Sequence, residues 1–291
     1  MKMLYLLVLL MSKLPLGILY RVSDVCIFIL KYIFHYRKKI IEENLRKSFP
    51  EKTTKEIKNL RNQFYKHFAD YIVEMIKLFS ATPEYINKRV KHIHIDVFQK
   101  AKEEKKNVIL LTGHIFNWEW YTPLATLIPQ DHCFPVYRNI QSDFWREKIK
   151  NIRSKFGNEA IEAADVLRHI FRTPNDGNSA YMFVADQSPY VIDVRYGLKF
   201  LNQKTPVYIG YDKLATKMDF KFIFCKMKKV QRGKYAIEYQ EISPDKDKFQ
   251  PYELVKKFHQ LLEENILEDP ANYLWSHRKW KYQHAIRQYE E

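Results

Sequence analysis

Glycine and cysteine are scarce in this chain of 291 residues, which has seven glycines and three cysteines. Neither a G-x-G-x-x-G fingerprint nor a P-loop occurs, so nothing indicates a glycine-rich loop that holds phosphates. The cysteines Cys26, Cys133 and Cys225 lie far apart, match no metal-binding spacing and argue against a disulfide framework. We expect a protein of a reducing compartment, with no metal site and no bound cofactor.

Positive charge and aromatic side chains are abundant instead. The formal net charge is +15, and 15% of the residues are aromatic. A surplus of this size suits an anionic partner: nucleic acid, an anionic membrane surface, an acidic carrier protein or a phosphorylated substrate. The charge alone does not separate these classes, and a basic but inert surface is the plain alternative.

The N-terminal region is unusually apolar from residue 3 to residue 34. Lys13, Pro15, Arg21 and Asp24 interrupt it, so its longest uncharged run is shorter than the roughly 20 residues that a spanning helix needs. Two forms of membrane attachment stay open: a spanning helix whose Lys13 snorkels, or short amphipathic helices that lie in the interface. A soluble protein whose first helices join the core is the alternative. We predict a membrane-anchoring segment over residues 1–39, with the remainder of the chain in the cytoplasm.

The body of the chain, residues 40–291, contains no linker rich in glycine, serine or proline, and we predict one domain there. Residues 40–80 carry apolar side chains at steps of three and four, which predicts helices. Beyond them, short apolar runs typical of strands alternate with amphipathic stretches. This alternation predicts an α/β fold with a mixed, largely parallel central sheet flanked by helices.

One run, NVILLTGHIFNWEWYTPL, combines a buried strand with reactive side chains. Residues 108–111 are fully apolar, Thr112 and Gly113 end the strand, and His114 follows at once. Asn117 can cap a new helix and so place Glu119 in its first turn. Because reactive groups collect beyond the carboxyl ends of strands in open α/β sheets, we expect His114 and Glu119 to meet in one cleft. A neutral histidine can take the proton of a hydroxyl, and a carboxylate on its other nitrogen fixes the tautomer.

The spacing alone is a weak signal, since ten histidines and 34 acidic residues give about one such match by chance. The chain contains a second match, His259 to Glu264, which lies in a charged amphipathic stretch that no strand precedes. We interpret that pair as the surface of a helix.

Several blocks together resemble a known family. The run TGHIFNWEW resembles the motif of the lysophospholipid acyltransferase-like superfamily, and more closely the G-H-x-x-N-W-E motif of the lipid A biosynthesis lauroyl/myristoyl acyltransferases. Other blocks agree in order along residues 40–282. They are Tyr137-Arg138-Asn139, a helix ending with Arg153 and Gly157, Asp186-Gln187, and the basic, tryptophan-containing segment 275–281.

The resemblance implies an acyltransferase on the cytoplasmic face of the cell inner membrane. Its donor would be an acyl carrier protein thioester, and its acceptor a lipid A precursor or a similar anionic glycolipid. His114 would be the general base and Glu119 its orienting carboxylate, while Arg138 would bind acceptor phosphate or the developing oxyanion. The residues implied to contact substrate are Asn117, Arg138, Arg153, Asp186 and Gln187.

Two departures from the common pattern of that family bear on the acceptor. Pro123 lies four residues beyond Glu119, which predicts a short or kinked helix. The segment that begins at Tyr208 is not the apolar helix of small residues found in common members. An aminolipid or a lysophospholipid is therefore the alternative acceptor. A non-enzymatic protein that binds a membrane or nucleic acid is the remaining alternative. Most aromatic residues fall at core positions, however, so we expect no nucleic-acid partner.

Overall fold

A mostly parallel, seven-stranded sheet forms the centre of the described part of the chain, residues 2–138, 142–245 and 247–290 of a computed structural model. Asn139 of the predicted Tyr-Arg-Asn block lies outside these residues. The strands are β1 Val90–Ile93, β2 Val108–Thr112, β3 His132–Tyr137, β4 Ile161–Glu162, β5 Ser179–Val184, β6 Tyr196–Phe200, β7 Gln203–Val207, β8 Lys221–Gln231, β9 Lys234–Glu241 and β10 Gln288–Glu290.

The order of strands in the large sheet is β1-β9-β8-β2-β5-β3-β4, and only the β8–β9 pair is antiparallel in these residues. A smaller sheet has the order β10-β6-β7. The α-helices are α1 Lys2–Ser12, α2 Leu16–Phe28, α3 Lys38–Ser48, α4 Thr54–Leu78, α5 Pro83–Asn87, α6 Val97–Glu103, α7 Asp143–Arg153, α8 Val166–Arg172, α9 Gly210–Lys217 and α10 Glu253–Glu268. The predicted α/β fold with a mixed, largely parallel sheet is confirmed.

The central strand β2 positions the site. All five of its residues are buried, as its continuous apolar sequence predicts for a strand covered on both faces. Its neighbours β5 and β8 both run parallel to it, and Thr112 at its carboxyl end pairs with Val184 at the carboxyl end of β5. The residues that follow β2 and β5 therefore leave the sheet side by side at the same edge.

Helix α4 joins the N-terminal helices to the sheet. It begins with a capping box, in which Thr53 accepts a hydrogen bond from the backbone N–H of Glu56 and the Glu56 carboxylate accepts one from Thr53. Its buried Glu74 accepts hydrogen bonds from the hydroxyls of Tyr20 in α2 and Tyr235 in β9, each at 2.7 Å. Three elements distant in sequence thus meet on one carboxylate.

The N-terminal segment forms two helices separated by a turn at Lys13–Pro15. Large apolar side chains on α1 and α2, including Leu6, Leu10 and Phe28, are exposed. Among the described residues, no helix combines the length and the apolar character that crossing a bilayer requires. The anchoring role of residues 1–39 stays a prediction.

Residues 196–207 form the β6–β7 hairpin, and helix α9 follows it. The hairpin's two turn residues, Leu201 and Asn202, both have positive φ, the conformation of a two-residue hairpin turn, yet they lack the glycine that usually signals it. His259, interpreted as helix surface, is 2% exposed and packs edge-on against Phe200, while its partner Glu264 is exposed.

Candidate active site

His114 and Asp186 form the centre of the site at the carboxyl edge of the sheet. His114 follows β2, and Asp186 follows β5. Nδ1 of His114 lies 2.5 Å from Oδ1 of Asp186, and the same oxygen accepts the backbone N–H of His114 at 3.1 Å. Because an ionised carboxylate only accepts hydrogen bonds, Nδ1 of His114 is the donor. The carboxylate thus fixes both the ring and the backbone of the histidine.

Gln187 contacts the second ring nitrogen of His114 and so indicates which nitrogen carries the proton. Its Nε2 amide lies 3.0 Å from Nε2 of the imidazole, and since an amide nitrogen only donates, the ring nitrogen accepts. In this arrangement Nδ1 shares a proton with Asp186, and Nε2 accepts through its lone pair. That lone pair faces the cavity, which is what a general base for a hydroxyl requires.

Asp186 is held as an anion by three neighbours. Burial alone would raise the pKa of its carboxyl. The contact with His114, the charge of Lys279 and the hydroxyl of Tyr273 together hold that pKa well below its ordinary value. The Tyr273 hydroxyl donates to Oδ2 at 2.9 Å, and the Lys279 ammonium donates to the backbone carbonyl of Asp186. Burial lowers the pKa of Lys279 to about 8, although Asp186 opposes this shift.

Glu119 does not contact His114 through a hydrogen bond, contrary to the predicted orienting role. Its carboxylate forms a bidentate ion pair with Arg153, with 3.1 Å between Arg153 Nε and Glu119 Oε2, and a further contact from Nη2. The indole N–H of Trp118 donates to Oε1 at 3.0 Å. Burial would raise the pKa of Glu119, but the Arg153 charge and these hydrogen bonds lower it below its ordinary value. The orienting carboxylate on Nδ1 is Asp186.

Asn117 has a structural position rather than a place in the cavity wall. It is fully buried, and its side-chain oxygen accepts the backbone N–H of Glu119 at 3.2 Å, as predicted for a helix cap. Its amide donates to Glu74 at 2.9 Å. The predicted contact between Asn117 and substrate is therefore not what the geometry favours. The helix that it caps is a short 3-10 helix, Trp118–Thr126, which contains Pro123, so the prediction of a short helix is confirmed.

Most of the predicted residues line one large cavity. His114, Glu119, Arg138, Arg153 and Gln187 all border it, together with apolar side chains from α4, α7, β3 and β5. Its empty volume is about 1770 Å³, counting the open mouth. Arg138 follows β3 and donates from Nη1 to the carbonyl of Ser188 at 2.9 Å, with its guanidinium over the ring of Tyr190.

A second, narrower cavity continues from the first into the core. Trp118, Glu119 and Arg153 border both cavities. Its other walls are almost entirely apolar, and they reach the half of β2, β3 and β5 that is remote from His114. The residues at that far end are Ile128, Cys133, Phe134 and Ala180.

Sequence reasoning missed Tyr273 and Lys279 as parts of the site. Lys279 belongs to the basic, tryptophan-containing segment 275–281, but it is 2% exposed and lies beside Asp186. The available signal was a tryptophan-containing C-terminal block. That block carries no information about which strand end it packs against.

The fold and the site define a class: an α/β protein with a histidine–carboxylate pair beside a large, partly apolar cavity. The chain belongs to the bacterial lipid A biosynthesis acyltransferase family, whose sequence profile matches residues 2–282. It is accordingly an acyltransferase for a lipid A-like acceptor. No curated protein matches the chain.

Proposed function

We propose that this chain transfers a fatty acyl group from an acyl carrier protein thioester to a hydroxyl of a lipid A precursor, with His114 as general base and Asp186 as its orienting carboxylate. The observation that carries the proposal is the Asp186–His114 contact of 2.5 Å at the wall of the large cavity, which apolar side chains also line. No cofactor enters the reaction, because the thioester already carries the activated acyl group.

The reaction uses the lone pair on Nε2 of His114. The acceptor hydroxyl takes the place of the Gln187 amide, gives its proton to Nε2 and attacks the thioester carbonyl carbon with its oxygen. Asp186 stabilises the imidazolium that forms, in the same way as the carboxylate of a serine-hydrolase triad. As the tetrahedral intermediate collapses, the carbon–sulfur bond breaks and the imidazolium returns the proton to the leaving thiolate.

Arg138 and Arg153 have different roles in this proposal. Two donor groups of Arg153 are engaged by Glu119, so this pair forms one fixed side of both cavities. Arg138 also borders the large cavity, and its guanidinium suits a phosphate on the acceptor. The narrow cavity receives the acyl chain.

Attachment to a membrane is part of the proposal. Exposed leucines of α1 and apolar side chains of α2 offer a surface for the cytoplasmic face of the inner membrane. The net charge of +15 favours both anionic lipids and an acidic carrier protein. Both partners are inferred from the charge and from the family.

The experiment is acyl transfer from labelled acyl carrier protein to a lipid A precursor in detergent. We expect His114→Ala to lose transfer by at least about a hundredfold, the lower range for general base catalysis. The matched control is His132→Ala, because His132 is exposed at the amino end of β3 and its Nδ1 lies 3.1 Å from the exposed Glu159. Wild-type transfer by His114→Ala would overturn the proposal.

The acceptor is tested separately, with a panel that includes aminolipids and lysophospholipids. Transfer to one of these lipids and none to the lipid A precursor would change the assigned acceptor but leave the assigned reaction unchanged. Binding to nucleic acid that falls steeply with salt, without any acyl transfer, would favour the non-enzymatic alternative.

A further inference from the structure

An exposed apolar loop stands at the mouth of the large cavity. Tyr190, Val191 and Ile192 are 59%, 48% and 74% exposed, and they are consecutive. Single exposed apolar residues are ordinary, but a contiguous group indicates an interaction surface. This group, which we call the mouth loop, follows the Asp186-Gln187 block directly.

The mouth loop is a fixed turn rather than a loose one. Residues 191–193 form a 3-10 turn, and the N–H of Asp193 donates to the carbonyl of Tyr190 at 2.9 Å. The residues on either side, Pro189 and Val194, are buried. The apolar tip therefore projects from a buried base, and its exposure is a feature of the native fold.

Two guanidinium groups border the tip. Arg195 donates from Nη1 to the carbonyls of Ile192 at 2.7 Å and Val194 at 3.2 Å. Arg138 lies 5.1 Å from the centre of the Tyr190 ring. Asp193 is the acidic residue among them, so the border carries a net positive charge. An apolar tip with a cationic border matches an anionic bilayer, which offers hydrocarbon below a layer of phosphates.

The position of the mouth loop agrees with this occupant. Pro189, Tyr190 and Asp193 border the cavity, whereas Val191 and Ile192 point away from its wall. On another side of the cavity, α1 packs on α7, with the rings of Tyr5 and Phe144 5.9 Å apart. Exposed leucines of α1 thus provide a second apolar surface near the same cavity.

We propose that the mouth loop, Tyr190 to Ile192, inserts into the headgroup region of an anionic bilayer and so places the cavity mouth at the lipid surface. The inference deepens the proposed function, because it states how a lipid acceptor enters the site. Vesicle binding can nevertheless be measured without any acyl transfer, so the two proposals can fail separately.

The first test measures depth in the bilayer. In the full-length chain, Ile192→Trp is compared with Leu127→Trp on vesicles of phosphatidylglycerol and phosphatidylcholine, with and without brominated acyl chains. Leu127 is a matched control because it is 41% exposed near the amino edge of the sheet, opposite the mouth loop. We expect brominated lipid to quench the tryptophan at position 192 and not the one at position 127. Vesicle-bound protein without this difference would overturn the proposal.

The second test measures partition onto the same vesicles by flotation. The double variant Val191→Glu/Ile192→Glu loses apolar contact and adds negative charge, so we expect its vesicle affinity to fall about tenfold or more. Leu127→Glu should retain wild-type affinity. For Arg195→Gln we expect a loss of about fivefold on anionic vesicles, and little change on neutral ones. Unchanged affinity in the double variant would overturn the proposal.

The alternative partner of the mouth loop is a protein, and the same variants distinguish a protein partner from a bilayer. If the double variant binds vesicles normally but loses binding to acyl carrier protein, the mouth loop is a protein-docking surface instead. Acyl transfer to a detergent-dispersed acceptor provides the remaining control. Under the proposal, transfer in detergent stays within about twofold of wild type, while transfer to acceptor embedded in vesicles falls in parallel with vesicle affinity.

Discussion

Replacement of Asp186 by asparagine tests which carboxylate orients His114. The native carboxylate has a donor on each oxygen: Oδ1 accepts Nδ1 and the backbone N–H of His114, and Oδ2 accepts the hydroxyl of Tyr273. An asparagine has one oxygen and one NH₂ group in the same space. Its fit to these donors is therefore incomplete, and in either orientation the negative charge is lost.

The expected loss follows from the two orientations of that amide. If its oxygen faces His114, the tautomer survives, but a charge-assisted hydrogen bond becomes a neutral one, and the imidazolium loses its counter-charge. If its NH₂ faces His114, the ring adopts the wrong tautomer, which costs about 10⁴-fold in kcat in the serine-protease precedent. We expect kcat for acyl transfer to fall by about 10² to 10⁴, with little change in KM for the acyl donor.

The assay is acyl transfer at saturating donor, with thermal unfolding measured on each variant to exclude loss of the fold. Asp131→Asn is the matched control, because Asp131 forms only an exposed ion pair with Lys102, and such pairs contribute little. A folded Asp186→Asn enzyme that keeps more than about a tenth of wild-type kcat would refute the assignment of Asp186.

Three further changes test the surroundings of that pair. Tyr273→Phe removes one donor to the Asp186 anion, and we expect kcat to fall about tenfold while KM stays unchanged. A rise in KM as large as the fall in kcat would contradict a positioning role for Tyr273. Arg153→Met leaves Glu119 buried without its partner, and we expect a loss of about 3–5 kcal/mol in unfolding free energy; the double variant with Glu119→Gln should recover most of it, and failure to recover would argue against the pair. Lys279 has a native pKa of about 8 against 10.5 when unfolded, so the native state binds fewer protons between these values and becomes more stable as pH rises. Relative to Lys279→Met, wild type should therefore gain roughly 2 kcal/mol from about pH 7.5 to about pH 10 in urea unfolding, and a constant difference would refute the buried cation.

The sequence was informative where local pattern determines structure. The apolar run before His114 predicted a central strand, and Asn117 and Pro123 predicted the start and the interruption of the helix after it. Asp186 was expected to line the same cleft, since it also follows a strand; it is buried against His114 instead. Its contact with His114, however, depends on β2 and β5 being neighbours, and that order is a property of the whole sheet.

Charge pairing was the less predictable part of the site. His114 and Asp186 are separated by 72 residues, and Glu119 and Arg153 by 34. Each carboxylate had several cationic or donor groups available in the sequence, and only the packing of α7 and of the C-terminal segment selects among them. The β6–β7 turn illustrates a different limit: Leu201 and Asn202 adopt positive φ without a glycine, because the surrounding hairpin imposes it.

The arrangement also gives a physical reason for a glutamate five residues after the histidine, although the two share no hydrogen bond. Trp118 connects them: its indole N–H donates to Glu119, and its ring stands edge-on to the His114 ring, with 4.8 Å between centroids. Glu119 in turn is neutralised by Arg153, so it adds little net charge beside the base. Asp186 is then the carboxylate in direct contact with His114, while Glu119 and Arg153 hold the indole wall against which the imidazole packs. On this reasoning, loss of Glu119 disturbs the wall and the cavities first, and loss of Asp186 disturbs the proton transfer itself.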